Sequence, residues 1–374
     1  MKIGIDARFF GPDSKGLGRY TQKLIEHLED VDCENEYVIF LRENNFDEYV
    51  PKNKKFTKVK ADYRWYSFAE QIFFPFVLYK QKCDFVHFPH FNVPVLYFGK
   101  FMVTIHDLIL LYHHTKKAST RNAFVYWIKY IMYRFVIFSA ITRASRIIAV
   151  SEFTKSDICN KYEFACDKID VVKESAEIVD TDIKDSESII KKYGIMNKYM
   201  LYVGNAYPHK NLYKLVDAFD KYVKSGGTVK ELILVGKNDY FYNELKLYIN
   251  KYDVKGVNIL STVTDKMLFA LYKESEFFVF PSLYEGFGLP PLEAQLLSVP
   301  VLSSEHACMR EILSDNGALY CDVENVEEFA DAMKTISNDN ELRKRLVQDG
   351  YKNAKKYSWQ KMAQEIHDIY TNKI

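Results

Sequence analysis

Short apolar runs alternate with longer amphipathic stretches from one end of the chain to the other. KIGID (Lys2–Asp6), YVIFL (Tyr37–Leu41), DFVHF (Asp84–Phe88), FMVTI (Phe101–Ile105) and RIIAV (Arg146–Val150) are brief and rich in β-branched and aromatic residues. Such runs predict strands buried on both faces, and the stretches between most of them carry helical spacing. A second series follows: YMLYVG (Tyr199–Gly204), ELILVG (Glu231–Gly236), VNIL (Val257–Leu260), FFVF (Phe277–Phe280) and VPVLS (Val299–Ser303). Strand–helix alternation of this kind predicts parallel sheets covered by helices. Two series predict two Rossmann-like α/β domains, over residues 1–175 and 190–357. The polar, acidic stretch ESAEIVDTDIKDSE marks the break. After it, IIKKYG reads as a short helix with a glycine cap. SWQKMAQEIHDIY (Ser358–Tyr370) predicts an amphipathic helix opened by a serine cap. One segment, Ser119–Ala144, is a long helical pattern dense in aromatic residues and interrupted by Lys129 and Arg134. It has two readings: a packed helix of the N-terminal domain, or a helix lying on a membrane surface.

Charge sharpens that second reading. The whole chain of 374 residues is nearly balanced, with 51 Lys and Arg against 50 Asp and Glu, which is not the profile of a nucleic-acid binder. Residues 51–161, however, hold 18 basic against 6 acidic residues, while residues 1–50 hold 6 against 11. The basic tract fits an anionic surface or acceptor, or else solvated faces balanced from elsewhere. The six cysteines form no CxxC pair and no zinc-like Cys/His spacing. With an MKIGID start and no signal-peptide pattern, a reducing cytoplasm is the expected location. No apolar stretch is long enough to predict a membrane-spanning helix.

Candidate chemistry centres on Pro281–Glu293, PSLYEGFGLPPLE. An apolar strand leads in, and a proline-started helix leads out. The glycine turn between them presents backbone N–H groups at a helix N-terminus, an anion site. Glu285 and Glu293 do not suit an anion; they suit the hydroxyls of a sugar and a ribose. Phosphate plus polyol outlines a nucleotide sugar. Gly16 and Gly18 form a second glycine loop after the first strand, and Arg19 opens the helical pattern beyond it. His106 and Asp107 follow a buried strand, where a histidine can meet a sugar hydroxyl or be satisfied structurally by Asp107. Lys210 lies six residues past Gly204, placed to hold a diphosphate leaving group. Two DxD strings, Asp30–Asp32 and Asp180–Asp182, follow no buried strand and read as solvated acid, so no metal site is expected.

The E-x7-E pattern enclosing EGFGLP resembles the retaining glycosyltransferases of family 4. The resemblance runs from DARFF to SWQKMAQEI, and REILSDNGALYCDVENVEEFADAM is similar to the family's stretch after the second glutamate. It implies the GT-B fold, two Rossmann-like domains facing a central cleft, with helix 358–374 packing back on the N-terminal domain. It implies that Gly16 and Gly18 contact the donor diphosphate and that His106 meets the donor sugar. Glu285 would stand beside the anomeric carbon and Glu293 at the ribose, while Gly286, Phe287, Gly288 and Leu289 present N–H groups to sugar and phosphate. Where the family pairs its lysine with an arginine, this chain has Asn205 and His209. That departure leaves the second leaving-group charge unassigned, with His209 a pH-sensitive substitute. The expected activity is transfer of a hexose from a nucleoside-diphosphate sugar to a glycan or polyprenyl-diphosphate-linked glycan in cell-surface polysaccharide biosynthesis. No cofactor or metal is expected, nor nucleic acid, and the location is cytoplasmic or peripheral at the inner membrane face. GDP-mannose, dTDP-rhamnose and UDP-sugars all stay open as donors. A nucleotide-sugar epimerase and an inactive nucleotide-sugar-binding subunit are the alternatives.

Overall fold

The computed structural model describes residues 1–112, 123–177, 186–261 and 263–374. The chain divides into two compact units, Met1–Glu174 with Ser358–Ile374, and Ser175–Tyr357. In chain order the first unit contains β1 (Lys2–Asp6), α1 (Lys15–Val31), β2 (Glu36–Leu41), β3 (Phe56–Lys60), α2 (Phe68–Gln81), β4 (Phe85–Phe88), β5 (Phe101–Ile105), α3 (Ile109–Tyr112), α4 (Ala123–Arg143), β6 (Arg146–Ala149), α5 (Glu152–Lys161) and β7 (Ile169–Val171). The second contains α6 (Ser186–Lys191), β8 (Tyr199–Val203), α7 (Leu212–Lys224), β9 (Glu231–Val235), α8 (Tyr240–Lys251), β10 (Val257–Leu260), α9 (Asp265–Glu274), β11 (Phe277–Phe280), α10 (Leu289–Leu296), β12 (Val301–Ser304), α11 (Ala307–Leu313), β13 (Leu319–Cys321), α12 (Val326–Asn338) and α13 (Asn340–Ala354). Last comes α14 (Trp359–Lys373), back in the first unit.

The first sheet runs β3-β2-β1-β4-β5-β6-β7 and the second β10-β9-β8-β11-β12-β13. Every pairing is parallel. Period-two alternation divides the first sheet cleanly. Val38, Phe40, Val86, Phe88, Val103, Ile105 and Ile147 share one core with Phe74 and Leu78 of α2, Ile137 and Ile141 of α4, and Ile158 of α5. Alternate positions turn to the other layer. There His87 Nδ1 lies 2.6 Å from the Tyr370 hydroxyl of α14, and its Nε2 lies 2.8 Å from Thr104 Oγ1. Thr104 in turn meets the Tyr20 hydroxyl of α1 at 3.2 Å. Burial pushes the pKa of His87 down to about 3, so the imidazole in this network stays neutral.

Ser358 caps α14 by accepting from the Lys361 N–H. Among the described residues, no helix is long and apolar enough to cross a membrane. The aromatic helix is α4 from Ala123 onward; Ser119–Asn122 lie outside the described residues, as does Asp180–Asp182. Asp32 corrects the reading of the first DxD string. It is buried, not solvated, and accepts from the Tyr37 hydroxyl at 2.6 Å, the Asn35 amide at 2.7 Å and the Glu34 N–H at 2.8 Å. Burial alone would raise its pKa, but these donors hold it at about 2. Cys159 and Cys166 stand side by side, Cα atoms 5.3 Å apart, a proximity their spacing does not announce.

Candidate active site

Each sheet has one place where neighbouring strands send their connections in opposite directions, the position at which open α/β sheets bind ligands. In the second unit it lies between β8 and β11. The loop after β8 carries Asn205, His209 and Lys210; the loop after β11 carries Glu285 to Gly288. Backbone stitching joins the loops, Leu283 N–H donating to the His209 carbonyl at 2.8 Å. Lys210 Nζ donates to Glu285 Oε1. The side chains are 13% and 10% exposed, so most of the water has been taken from both charges while one edge stays open. Lys210 Nζ also lies 5.6 Å from the centre of the Phe280 ring.

The rest of the glycine turn is built by backbone geometry. Gly288 sits at φ +98°, and a Cβ there would lie 2.7 Å from Met309 Cε. The positive φ is what calls for glycine, since the Met309 methyl at the end of a flexible side chain could shift. Helix α10 then starts at Leu289 with Pro290 and Pro291, which have no N–H. The donors at that end therefore come from Leu289 and the turn before it. Phe287 takes no part through its ring, which is buried edge-on against Tyr357, centroids 5.7 Å apart. Gly286 is buried beside it. Glu293, one turn into α10, is buried, and its Oε2 lies 3.1 Å from the Tyr272 hydroxyl of α9. Asn205 Oδ1 accepts from the Tyr207 N–H at 3.3 Å, shaping its own turn. His209 is buried with its ring 6.0 Å from Tyr207.

In the first unit the opposed connections belong to β1 and β4. Helix α1 begins at Lys15, earlier than Arg19, so Gly16 and Gly18 lie inside its first turns. Gly16 is exposed. Gly18 is buried, and a Cβ on it would lie 2.0 Å from the Gly11 carbonyl oxygen, so the loop closes on the helix only with glycine there. Ser14 at the N-cap makes no side-chain cap, and the helix start is satisfied by no hydroxyl of its own.

His106 follows β5, and its partner is Glu174, not Asp107. Nδ1 lies 2.7 Å from Glu174 Oε1 and Nε2 lies 2.9 Å from the Pro89 carbonyl. Asp107 instead accepts from the Ile109 N–H at 2.9 Å. A carbonyl only accepts, so Nε2 carries a hydrogen, and the carboxylate favours a second one on Nδ1. Burial works to lower the pKa of this ring, but the bond and charge of Glu174 and the Pro89 carbonyl raise it above its ordinary value. The backbone carbonyl of His106 accepts from Thr154 Oγ1 at 3.2 Å.

Three participants escaped the sequence reading. Glu174 opens the acidic stretch taken as linker, 68 positions from its histidine, with no local signal. Tyr272 lies in an ordinary amphipathic helix. Arg8 is fully buried beside β1, paired at 2.7 Å with both Asp6 and Glu70; the DAR spacing after a strand was the available signal. Among the described residues, no group of three or more His, Cys, Asp or Glu side chains could hold a metal ion.

Comparison with known proteins bears on the family and the fold. Residues 14–174 match the family described as Glycosyltransferase Family 4, and residues 185–353 match Glycosyl transferases group 1. The chain is 28% identical over 260 residues to the O-antigen chain mannosyltransferase RfbU of Salmonella typhimurium strain LT2, covering 67% of this chain and 66% of that one. It is 25% identical over 378 residues to O-antigen chain mannosyltransferase B of Escherichia coli, covering 95% of each. The structure of Anabaena HepE in complex with UDP and glucose superposes with a TM-score of 0.75 at 15% identity, covering 99% of each chain. That likeness shows the fold, GT-B.

Proposed function

Because the chain belongs to the family 4 glycosyltransferases, we propose that it transfers a hexose from a nucleoside-diphosphate sugar to a hydroxyl of a glycan or lipid-linked glycan. The product would enter a cell-surface polysaccharide, and the anomeric configuration would be retained. The observation that carries this reading is the Lys210–Glu285 pair at the switch point of the second sheet. A nearly desolvated lysine needs an anionic partner. Without a ligand that partner is Glu285. A donor diphosphate placed against the turn before α10 would take Lys210 over and release Glu285 to accept hydrogen bonds from the donor sugar.

The chemistry then follows from charge. The bond from the anomeric carbon to the diphosphate oxygen breaks, and Lys210 with the helix-start N–H groups stabilises the departing negative charge. The acceptor oxygen bonds to the same carbon on the same face, and its proton passes to the departing phosphate oxygen. Glu293 receives the ribose hydroxyls, with Tyr272 fixing its carboxylate. The family resemblance assigns His106, oriented by Glu174, to the donor sugar and Gly16 and Gly18 to the diphosphate. Lys210 carries the leaving-group charge with no metal invoked. The proposed location is cytoplasmic, free or peripheral at the inner face of the membrane.

The test is thermal stabilisation by GDP, UDP, ADP, dTDP and CDP, each with and without EDTA, followed by transfer assays with sugars of the base that binds. A base-selective shift of roughly 2.7 kcal/mol at about 100 times the dissociation constant is expected, unchanged by EDTA. Glu285→Ala should abolish transfer and keep the nucleotide shift. No shift with any nucleotide overturns the reading, and isomerisation of the donor without an acceptor would replace it with an epimerase.

A further inference from the structure

Helix α2 is apolar on two opposite sides. Glu70, Phe74 and Leu78, spaced four apart, are buried against the sheet. Phe68, Ile72 and Phe76, also four apart, lie on the other side, and Phe68 and Phe76 are 80% and 68% exposed. Phe73 and Tyr79 flank them, exposed as well. Helix α4 repeats the pattern. Ile137 and Ile141 face the core, while Trp127, Ile131, Phe135 and Phe138 stand exposed along one stripe. Helical residues spaced by three and four share a face, so each stripe is continuous. A helix on the surface of a globular protein ordinarily turns charge to the solvent.

The loop between β4 and β5 links the two stripes. Val95 N–H donates to Gln71 Oε1 of α2 at 2.8 Å, and Phe98 N–H donates to the Tyr79 hydroxyl at 2.7 Å. From the other side, Arg143 of α4 donates to the Val95 carbonyl at 2.8 Å and its guanidinium stacks 5.0 Å from the Phe98 ring. Phe98 itself is 75% exposed. Both helices cover the same face of the sheet, so their outer stripes and this loop form one apolar surface.

Charge selects the occupant. Within α2, residues 91–100 and α4, the one acidic residue is Glu70, which is turned inward and paired with Arg8. Lys80, Lys82 and Arg134 on or next to these helices are exposed, while Lys100 donates to the Ile374 carbonyl. Aromatic rings that insert between headgroups, ringed by cations without acids, match an anionic bilayer and not a second copy of a face that is itself cationic.

We propose that the outer face of α2, the Leu96–Phe98 loop and α4 seat this chain on the surface of an anionic lipid bilayer, with Phe68, Phe76 and Phe98 inserted below the headgroups. The proposal is independent of the transfer reading: it concerns lipid headgroups and acyl chains, not the donor site. The experiment is flotation of the full chain with vesicles of phosphatidylcholine alone or mixed with phosphatidylglycerol. Wild type should float with the mixed vesicles, less so at high salt, and not with phosphatidylcholine alone at high salt. Phe68→Ser/Phe76→Ser/Phe98→Ser should lower the bound fraction at least about tenfold, and Lys80→Glu/Arg134→Glu should remove the preference for the anionic lipid. Unchanged circular dichroism and melting of these variants show that the fold is kept. The proposal is overturned if wild type stays with the soluble fraction at low salt, or if the serine variant floats like wild type. It is also overturned if wild type is a dimer in solution and the serine variant a monomer, which would assign the face to a second copy.

Discussion

Two carboxylate–cation pairs stand beyond strand ends, Lys210 with Glu285 at the switch point of the second sheet and His106 with Glu174 past β5 and β7 of the first. They are built for opposite purposes. Lys210 is a point charge on a flexible stem, and its carboxylate partner comes from the loop proposed to meet the donor. A single charge-assisted hydrogen bond joins them, and on the proposed reading an incoming anion exchanges places with Glu285. His106 is fixed from three directions, by Glu174 on one nitrogen, the Pro89 carbonyl on the other and Thr154 on its own carbonyl. In the proposed mechanism one pair is broken on binding; the other holds a ring still.

The largest effect should come from the exchangeable pair. Lys210→Ala is expected to lower kcat by about 10²–10³, the size of a lost donor at a developing charge, read by steady-state kinetics on the donor that the nucleotide panel selects. Equal loss in KM alone would reduce Lys210 to a binding contact and end the contrast. Glu174→Gln should act more modestly, through stability and pH. A histidine whose pKa is raised on folding contributes stability fully below its unfolded value, about 6.5, and loses that contribution as pH rises through the folded value. Wild type should therefore exceed the glutamine variant by about 1.5–3 kcal/mol at pH 6, and the gap should narrow on the alkaline side of 6.5. Melting curves across that range check it, and a gap constant with pH would mean that Glu174 does not sustain the imidazolium. If Glu174 only positions the ring, kcat should fall with KM unchanged. The smallest effect is expected of Thr154→Val, about 1 kcal/mol of stability, measured by urea denaturation. A larger loss would make the Thr154 contact, not the carboxylate, the main restraint on His106.

The sequence reading succeeded most fully where burial is symmetrical, and of the edge strands it found β10 alone. Strands β1, β2, β4, β5, β6, β8, β9, β11 and β12 lie inside their sheets and appear as uninterrupted apolar runs, because helices cover both of their faces. The three that it missed, β3, β7 and β13, are all edge strands. FTKVK in β3 alternates lysine with apolar residues because one margin faces water, and β7 and β13 have three residues each. In the candidate site, EGFGLP was legible because a turn at positive φ followed by a helix needs glycine and proline at set places. Glu174 and Tyr272 were not, since a single carboxylate or hydroxyl acquires its meaning only from the neighbour that folding brings to it. The outer face of α2 was overlooked for a related reason. A run such as IFFPFVL reads as core whichever way its rings point, and only the coordinates separate Phe74 from Phe76.

The path of the chain has one more consequence. It leaves the first unit at Glu174 and returns at Ser358, so residues 175–357 are a contiguous insertion. On a ribosome that inserted piece is complete before the unit that began first. Until the last helix emerges, His87 lacks the Tyr370 hydroxyl and the layer holding α1 lacks its partner. The N-terminal half must therefore wait, unfinished, through the synthesis of an entire domain. A nascent chain stalled just short of Trp359 should offer a finished second unit and a first unit open to proteases and chaperones.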